Sequence, residues 1–345
     1  MVAGALFLGP FLRGGANPSG SPSEPAALVS ASSQAYSSPA SAPTGTWSPA
    51  PATSVVVTPT PSVRPTPTPS GTASPNLPSL NLPSLLGAIG DSYSQAYNTS
   101  AQHRYDNPVY SWVVGSARGD GVYSVRERLL ALGAKLTVVD AATSGKKMND
   151  APRQAAEVVA AAAGLRTGQK AFVTFELGTN DLCDDPETSA ADFEAQLDAA
   201  ISILRQGLPA GSEILMLPIP DFDHFRAITQ ADPQARAALA RTVNSRNCAP
   251  FLGSDSSLTL DQARATMAAY DSILTDTCNA IQSTDGAAGR LYCRTDLAAL
   301  SDRDFEIADL STVDYFHPSQ SGQARMAAAA WSASAWSAIP LPAGG

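Results

Sequence analysis

Five short apolar runs, separated by helical patterns and polar turns, constrain the fold of residues 84–345 more than any other feature. The runs are Leu85–Ile89, Leu136–Val139, Ala171–Leu177, Ile214–Leu217 and Arg290–Cys293. They are largely continuous in hydrophobicity rather than alternating, as strands are when both faces of their sheet are covered. Between them Val122, Val125, Leu129 and Leu132 recur at helical spacing, with Gly133 where a helix C-terminus favours glycine. Phe193, Leu197, Ile201 and Leu204 repeat that logic, and Ser189 is placed as an N-cap. Further helices are expected over Arg153–Ala163 and from about Gly322 to Ala338. Strands alternating with helices predict an α/β domain with a central parallel sheet and helices on both faces. The stretch 231–281 reads as an irregular, helix-leaning insertion, and no internal repeat is visible.

The segment before this domain has a different character. Residues 18–83 hold 15 of the 27 prolines, with Ser, Thr and Ala making up most of the rest. A stretch with so few large apolar side chains cannot bury enough surface to offset the entropy of ordering it. It is expected to be a disordered Pro/Ser/Thr-rich linker of extended polyproline type, of the kind that holds an exported domain away from a cell surface. Residues 1–17 open with an apolar run, Met1 to Leu12, followed by Arg13. Spanning a bilayer takes roughly 20 apolar residues, so the run fits the apolar region of an export signal or a shortened anchor better than a complete span. Residues 84–345 carry 20 basic and 30 acidic side chains. That balance argues against nucleic acid, whose phosphates need clustered Lys and Arg.

Cys183, Cys248, Cys278 and Cys293 all lie inside the domain, without a Cys-x-x-Cys pair. An even count behind an export-like N-terminus favours two disulfides and a secreted or cell-surface location. Four cysteines allow three connectivities. Cys278–Cys293 closes the short loop, so that pairing, with Cys183–Cys248, is the favoured one.

Polar motifs follow three of the runs. Gly90-Asp91-Ser92 follows the first, and a serine on such a turn presents its hydroxyl outward. Ala142-Thr143-Ser144-Gly145 follows the second, where glycine lets a backbone N–H approach a ligand. Gly178-Thr179-Asn180-Asp181 follows the third and offers a side-chain amide. The loops after strands of an open α/β sheet are where sites form. A fourth motif, Asp314-Tyr315-Phe316-His317-Pro318-Ser319, precedes the last expected helix and puts a carboxylate three residues from an imidazole. Taken singly, each is also ordinary turn chemistry. Asp221 and His224 form a second Asp-x-x-His, but lack the following Pro-Ser.

In this order and spacing the four motifs resemble the GDSL, or SGNH, hydrolase superfamily, whose blocks centre on Ser, Gly, Asn and His. The resemblance covers roughly residues 84–339. It implies a three-layer α/β/α, flavodoxin-like domain that hydrolyses acyl esters without metal or other cofactor. Carried onto this chain, Ser92 is the nucleophile, His317 its base and Asp314 the group that orients the base. The N–H groups of Ser92 and Gly145 and the amide of Asn180 form the oxyanion hole. Gly178-Thr-Asn-Asp-Leu-Cys183 and Tyr110-Ser111-Trp112 resemble the phospholipase-B-like lipase branch. The expected partner is an acyl-ester substrate, lipid or acylated carbohydrate, met by a monomer. Phe222, Phe225 and Trp112 are either an acyl groove or core. A rival from another class is a catalytically inactive, surface-tethered carbohydrate- or protein-binding module, against which the intact Ser, His and Asp set counts.

Overall fold

The computed structural model describes residues 81–341 apart from 185, 242–247, 254–255 and 296–303. The apolar segment 1–17 and the linker as far as residue 80 lie outside the described residues. Within the last linker positions, Leu82 already packs against the core and Pro83 is buried.

All five apolar runs form strands: β1 Leu85–Gly90, β2 Thr137–Asp140, β3 Ala171–Glu176, β4 Ser212–Met216 and β5 Leu291–Arg294. They pair in parallel in the order β2-β1-β3-β4-β5, which is the flavodoxin-like order. Every residue of β1, β3 and β4 is buried, as their largely continuous hydrophobicity predicts, Glu176 and Glu213 included. β2 differs from that expectation. It is an edge strand, and none of its four residues is fully buried.

Local signals set most helix ends. Ser124 starts α1, Val125–Ala131, through a capping box with Glu127, and Gly133 follows with φ +92°. α2 spans Ala151–Ala162, α3 is a short helix over Thr179–Cys183, and α4 runs Ala190–Gly207 behind the Ser189 cap. After β4 come α5 Phe222–Ala231, α6 Pro233–Arg241, α7 Ala249–Leu252 and α8 Leu260–Ile281. The final helix, α9, covers Gln320–Ala333. It stops short of Ala338 because Ser334 turns extended and its hydroxyl takes the Trp331 carbonyl.

Parallel strands need right-handed crossovers, so the reversal of chain direction at β1 puts helices on both faces. α2, α4 and α8 touch one another in series on one face, while α1 and α9 meet on the other. The result is the expected three-layer α/β/α domain. Of the irregular, helix-leaning reading of 231–281, the helical part agrees with the described residues and the irregular part is corrected. The second half of the stretch is α8, a 22-residue helix opened by a Thr259–Gln262 capping box, and α8 is the crossover between β4 and β5. Its buried stripe is Ala263, Tyr270, Leu274, Cys278 and Ile281, which holds only two large aliphatic side chains and so gives a weak periodic signal. The extra structure is α5 to α7.

Candidate active site

Strands β1 and β3 are neighbours whose connections leave in opposite directions, which opens a crevice at their carboxyl ends. Three of the motifs come from β1, β2 and β3, and the fourth arrives on the loop before α9.

Ser92 stands at the end of β1. The turn that carries it is clamped from α2, where Gln154 accepts from the Gly90 N–H at 2.8 Å and donates to the Gly90 carbonyl at 3.0 Å. A side chain at Gly90 would run into Ser94, whose hydroxyl donates to Glu176 at 2.9 Å. Ser92 is nearly buried, and its Oγ lies 2.9 Å from His317 Nε2. On the far side of the ring, Nδ1 lies 2.8 Å from Asp314 Oδ2.

Asp314 is held by more than the imidazole. Its Oδ1 accepts from the backbone N–H groups of Phe316 and His317 at 3.1 and 3.0 Å. Its Oδ2 also accepts from Asn98 Nδ2 at 2.8 Å. The tight Asp-x-x-His loop forces Tyr315 to φ +52°, a conformation that costs a non-glycine residue energy. Around it, Tyr93 donates to the Phe316 carbonyl at 2.9 Å and Ser311 N–H to the His317 carbonyl at 2.8 Å. Burial pushes the Asp314 carboxyl up, but the His317 charge and the donated hydrogen bonds outweigh it and hold the group below the usual carboxylate range.

Gly145 has φ +76°, in the left-handed region that glycine enters without cost. Among the described residues, its N–H and that of Ser92 donate to no protein acceptor, so both are left for a ligand. Asn180, expected to offer its amide to the oxyanion, sits on α3 with that amide engaged by the protein. It donates to Asp91 Oδ2 at 3.0 Å and to the Lys146 carbonyl at 2.9 Å. One side chain thereby links the residue before Ser92 to the residue after Gly145.

Asp91 is completely buried beneath this network. Its Oδ1 accepts from the Tyr93 N–H at 3.0 Å. Burial raises its carboxyl to about 7, against the hydrogen bond from Tyr93 and the charge of His317, and with the help of repulsion from Asp181. Asp181 is raised as well, again by burial, although its Oδ2 accepts from the Met148 N–H at 2.7 Å.

The second Asp-x-x-His pair makes other contacts. Asp221 caps α5 by accepting from the His224 N–H at 3.0 Å, and His224 Nε2 lies 2.7 Å from the Phe305 carbonyl. Trp112, Phe222 and Phe225 have no exposed surface and belong to the core. The cysteines pair as Cys183–Cys248 and Cys278–Cys293, with Cα separations of 4.1 and 5.2 Å. The first bridge anchors the end of α3, three residues after Asn180.

Sequence reasoning misses Asn98, Gln154 and Gln323. Gln323 accepts from the Trp112 N–H at 2.9 Å and donates to the Tyr93 carbonyl at 3.0 Å. Both glutamines lie on buried helix faces among alanines and other small or apolar residues, and a polar residue on an apolar stripe is the signal that finds them. Asn98 has no such signal, since its partner is 216 residues away.

An imidazole held between a carboxylate and a hydroxyl can take the hydroxyl proton, and free N–H groups nearby can receive a developing oxyanion. Among solved structures, the chain is similar to a psychrotrophic esterase from Pseudoalteromonas sp., at 14% identity and TM-score 0.39 over 72% of this chain and 96% of that one. It is similar to an acetylxylan esterase from Geobacillus stearothermophilus, at 15% identity and TM-score 0.40 over 74% and 96%. A family 3 carbohydrate esterase from Clostridium thermocellum matches at 10% identity and TM-score 0.37 over 72% and 94%. No curated protein matches by sequence. Residues 86–330, from β1 into α9 and most of the chain, match the sequence model of one hydrolase family, and the chain belongs to it: the GDSL-like lipase/acylhydrolase family.

Proposed function

We propose that this protein is a secreted serine esterase that cleaves carboxylic esters through an acyl-enzyme on Ser92. One observation carries the reading: the unbroken line from Asp314 Oδ2 through His317 to Ser92 Oγ, with links of 2.8 and 2.9 Å. With Nδ1–H donated to Asp314, Nε2 is left to accept the Ser92 proton as Oγ bonds to the ester carbonyl carbon. The N–H groups of Ser92 and Gly145 stabilise the oxyanion, and Asn180 joins them as the oxyanion competes with the Lys146 carbonyl for one amide proton. His317 then gives its proton to the departing alcohol oxygen as the C–O bond breaks. Water, deprotonated by His317, releases the acid and restores Ser92. Ester and water become acid and alcohol, with nothing left over.

The two disulfides support an oxidising location outside the cytoplasm. Among the described residues no helix is long and apolar enough to cross a membrane. In this reading the Pro/Ser/Thr-rich segment before residue 84 is a tether and 84–345 the catalytic domain.

Ser92→Ala and His317→Ala are each expected to lower turnover of p-nitrophenyl esters by about 10⁴-fold or more, with unfolding midpoints close to the parent. A fluorophosphonate should label Ser92, read by peptide mass. Full turnover in His317→Ala with loss in His224→Ala would overturn the base assignment.

A further inference from the structure

The stretch from Tyr97 to Tyr110 walls the site on the His317 side, and the reaction above leaves most of it without a role. The Tyr97 ring lies 4.8 Å from the imidazole, and Tyr105 packs nearly perpendicular to Tyr97 at 6.2 Å. Tyr105 is 69% exposed, more than any other large hydrophobic side chain among the described residues. The backbone is built to hold it there. Asn98 N–H donates to the Tyr105 carbonyl at 3.0 Å, and Tyr105 N–H to Asn98 Oδ1 at 2.9 Å. Asn107 donates to the same carbonyl at 2.7 Å. Ala96, Asn98 and Tyr105 take φ of +49°, +54° and +63°, a local strain that persists only where surrounding bonds enforce it. The wall is tied to both halves of the site, because Asn98 also donates to Asp314 and Ser144, beside Gly145, donates to Asp106.

Chemistry says which half of an ester meets this wall. The proton on Nε2 goes to the leaving oxygen, so side chains packed around the imidazole contact the alcohol rather than the acyl chain. Charge then narrows the alcohol. Arg104 and Asp106 leave the segment without net charge. The lysines of the facing loop are engaged, Lys146 with Asp150 at 3.5 Å and Lys147 with Asp184 at 3.2 Å. A phosphate-bearing alcohol therefore meets a segment in which Arg104 is balanced by Asp106, with no cluster of cations beside Tyr105. An open aromatic face beside a hydrogen-bond acceptor suits a ring with C–H faces and outward hydroxyls.

We infer that the leaving alcohol is a neutral sugar ring, stacked on Tyr105 beside Tyr97 with a hydroxyl donating to Asp106, so that the substrate is an O-acylated carbohydrate. This rests on the Ser92 esterase reading and names its substrate class. The test holds the acyl group constant and varies the alcohol: ethyl butyrate, a butyrylated methyl pyranoside and dibutyryl phosphatidylcholine. The parent protein should favour the pyranoside by about tenfold or more in kcat/KM over each of the other two. Tyr105→Ala should lower that preference about tenfold and Tyr105→Phe should keep it. The preference is a ratio within one preparation, so a partly misfolded variant does not distort it. Equal rates on the three esters, preference for the phospholipid, or an unchanged ratio in Tyr105→Ala would each overturn the inference while leaving the esterase reading intact. Inactivity on all three overturns both.

Discussion

Asp314 and Asp91 both interact with the same imidazole, yet burial moves them to different outcomes. Asp314 is surrounded by donors and stays below the usual range, whereas Asp91 is raised to about 7. Their links to stability run in opposite senses. The depressed Asp314 contributes stability above its unfolded value that is lost as pH falls through its folded value. The raised Asp91 contributes stability below its unfolded value that is lost as pH rises towards 7. Asp271 on α8 provides a cleaner case outside the site. Burial raises it to about 6, against the Ile219 N–H that it accepts at 2.8 Å and with repulsion from Asp221. Asp271→Asn keeps an acceptor for Ile219 and removes the cost of burying a charge. The variant should therefore be more stable than the parent at pH 8 by roughly 1–2 kcal/mol, and the difference should vanish by about pH 4, the usual carboxylate value. Urea unfolding midpoints at the two pH values decide it, and a less stable variant at pH 8 would sink the argument. At this scale the Asp-x-x-His spacing is legible in the sequence, because residues three apart on one loop can meet. The donors that hold Asp314 and Gly90 from afar are not.

Among the elements, α3 carries the most consequence for its length. It spans five residues, holds Asn180, and is fastened at Cys183 to Cys248 at the start of α7. The other bridge ties α8 to β5, away from the motifs. Removing either bridge should cost roughly 2–4 kcal/mol. Their effects on turnover should differ. Replacing both Cys183 and Cys248 by Ser should lower kcat, because Asn180 loses its anchor. Replacing Cys278 and Cys293 should lower the melting midpoint with little change in kcat. Equal losses of kcat in the two double variants would show that α3 is held by packing alone. Helix α8 shows where element-level reading falls short. Its capping box is plain in Thr259 and Gln262, but a buried stripe of Ala, Tyr, Leu, Cys and Ile, with only two large aliphatic side chains, is a weak apolar face until β4 and β5 are seen to need a crossover.

For the whole molecule, the expectation is a domain that works without the segment before it. A Pro/Ser/Thr-rich stretch with three charged residues among the first 83 has little to bury. Deleting residues 1–80 should leave ester turnover and the melting midpoint nearly unchanged, and a marked fall in the midpoint would show that the segment packs on the domain. The sequence by itself determined the parallel α/β architecture, the order of the strands in the chain and the residue types at the four motifs. Strand hydrophobicity, helix periodicity, caps and turn chemistry are all local, acting within a few residues. Only the tertiary structure decided that Asn180 is tied to Asp91 and Lys146, that Gln154 and Gln323 clamp the Ser92 turn, and that Asn98 reaches Asp314. It also decided that Trp112, Phe222 and Phe225 are core while Tyr105 stands in solvent against Tyr97, the ring next to His317. These contacts join residues tens to hundreds of positions apart, and no periodicity records which of the many possible closures the packed chain makes.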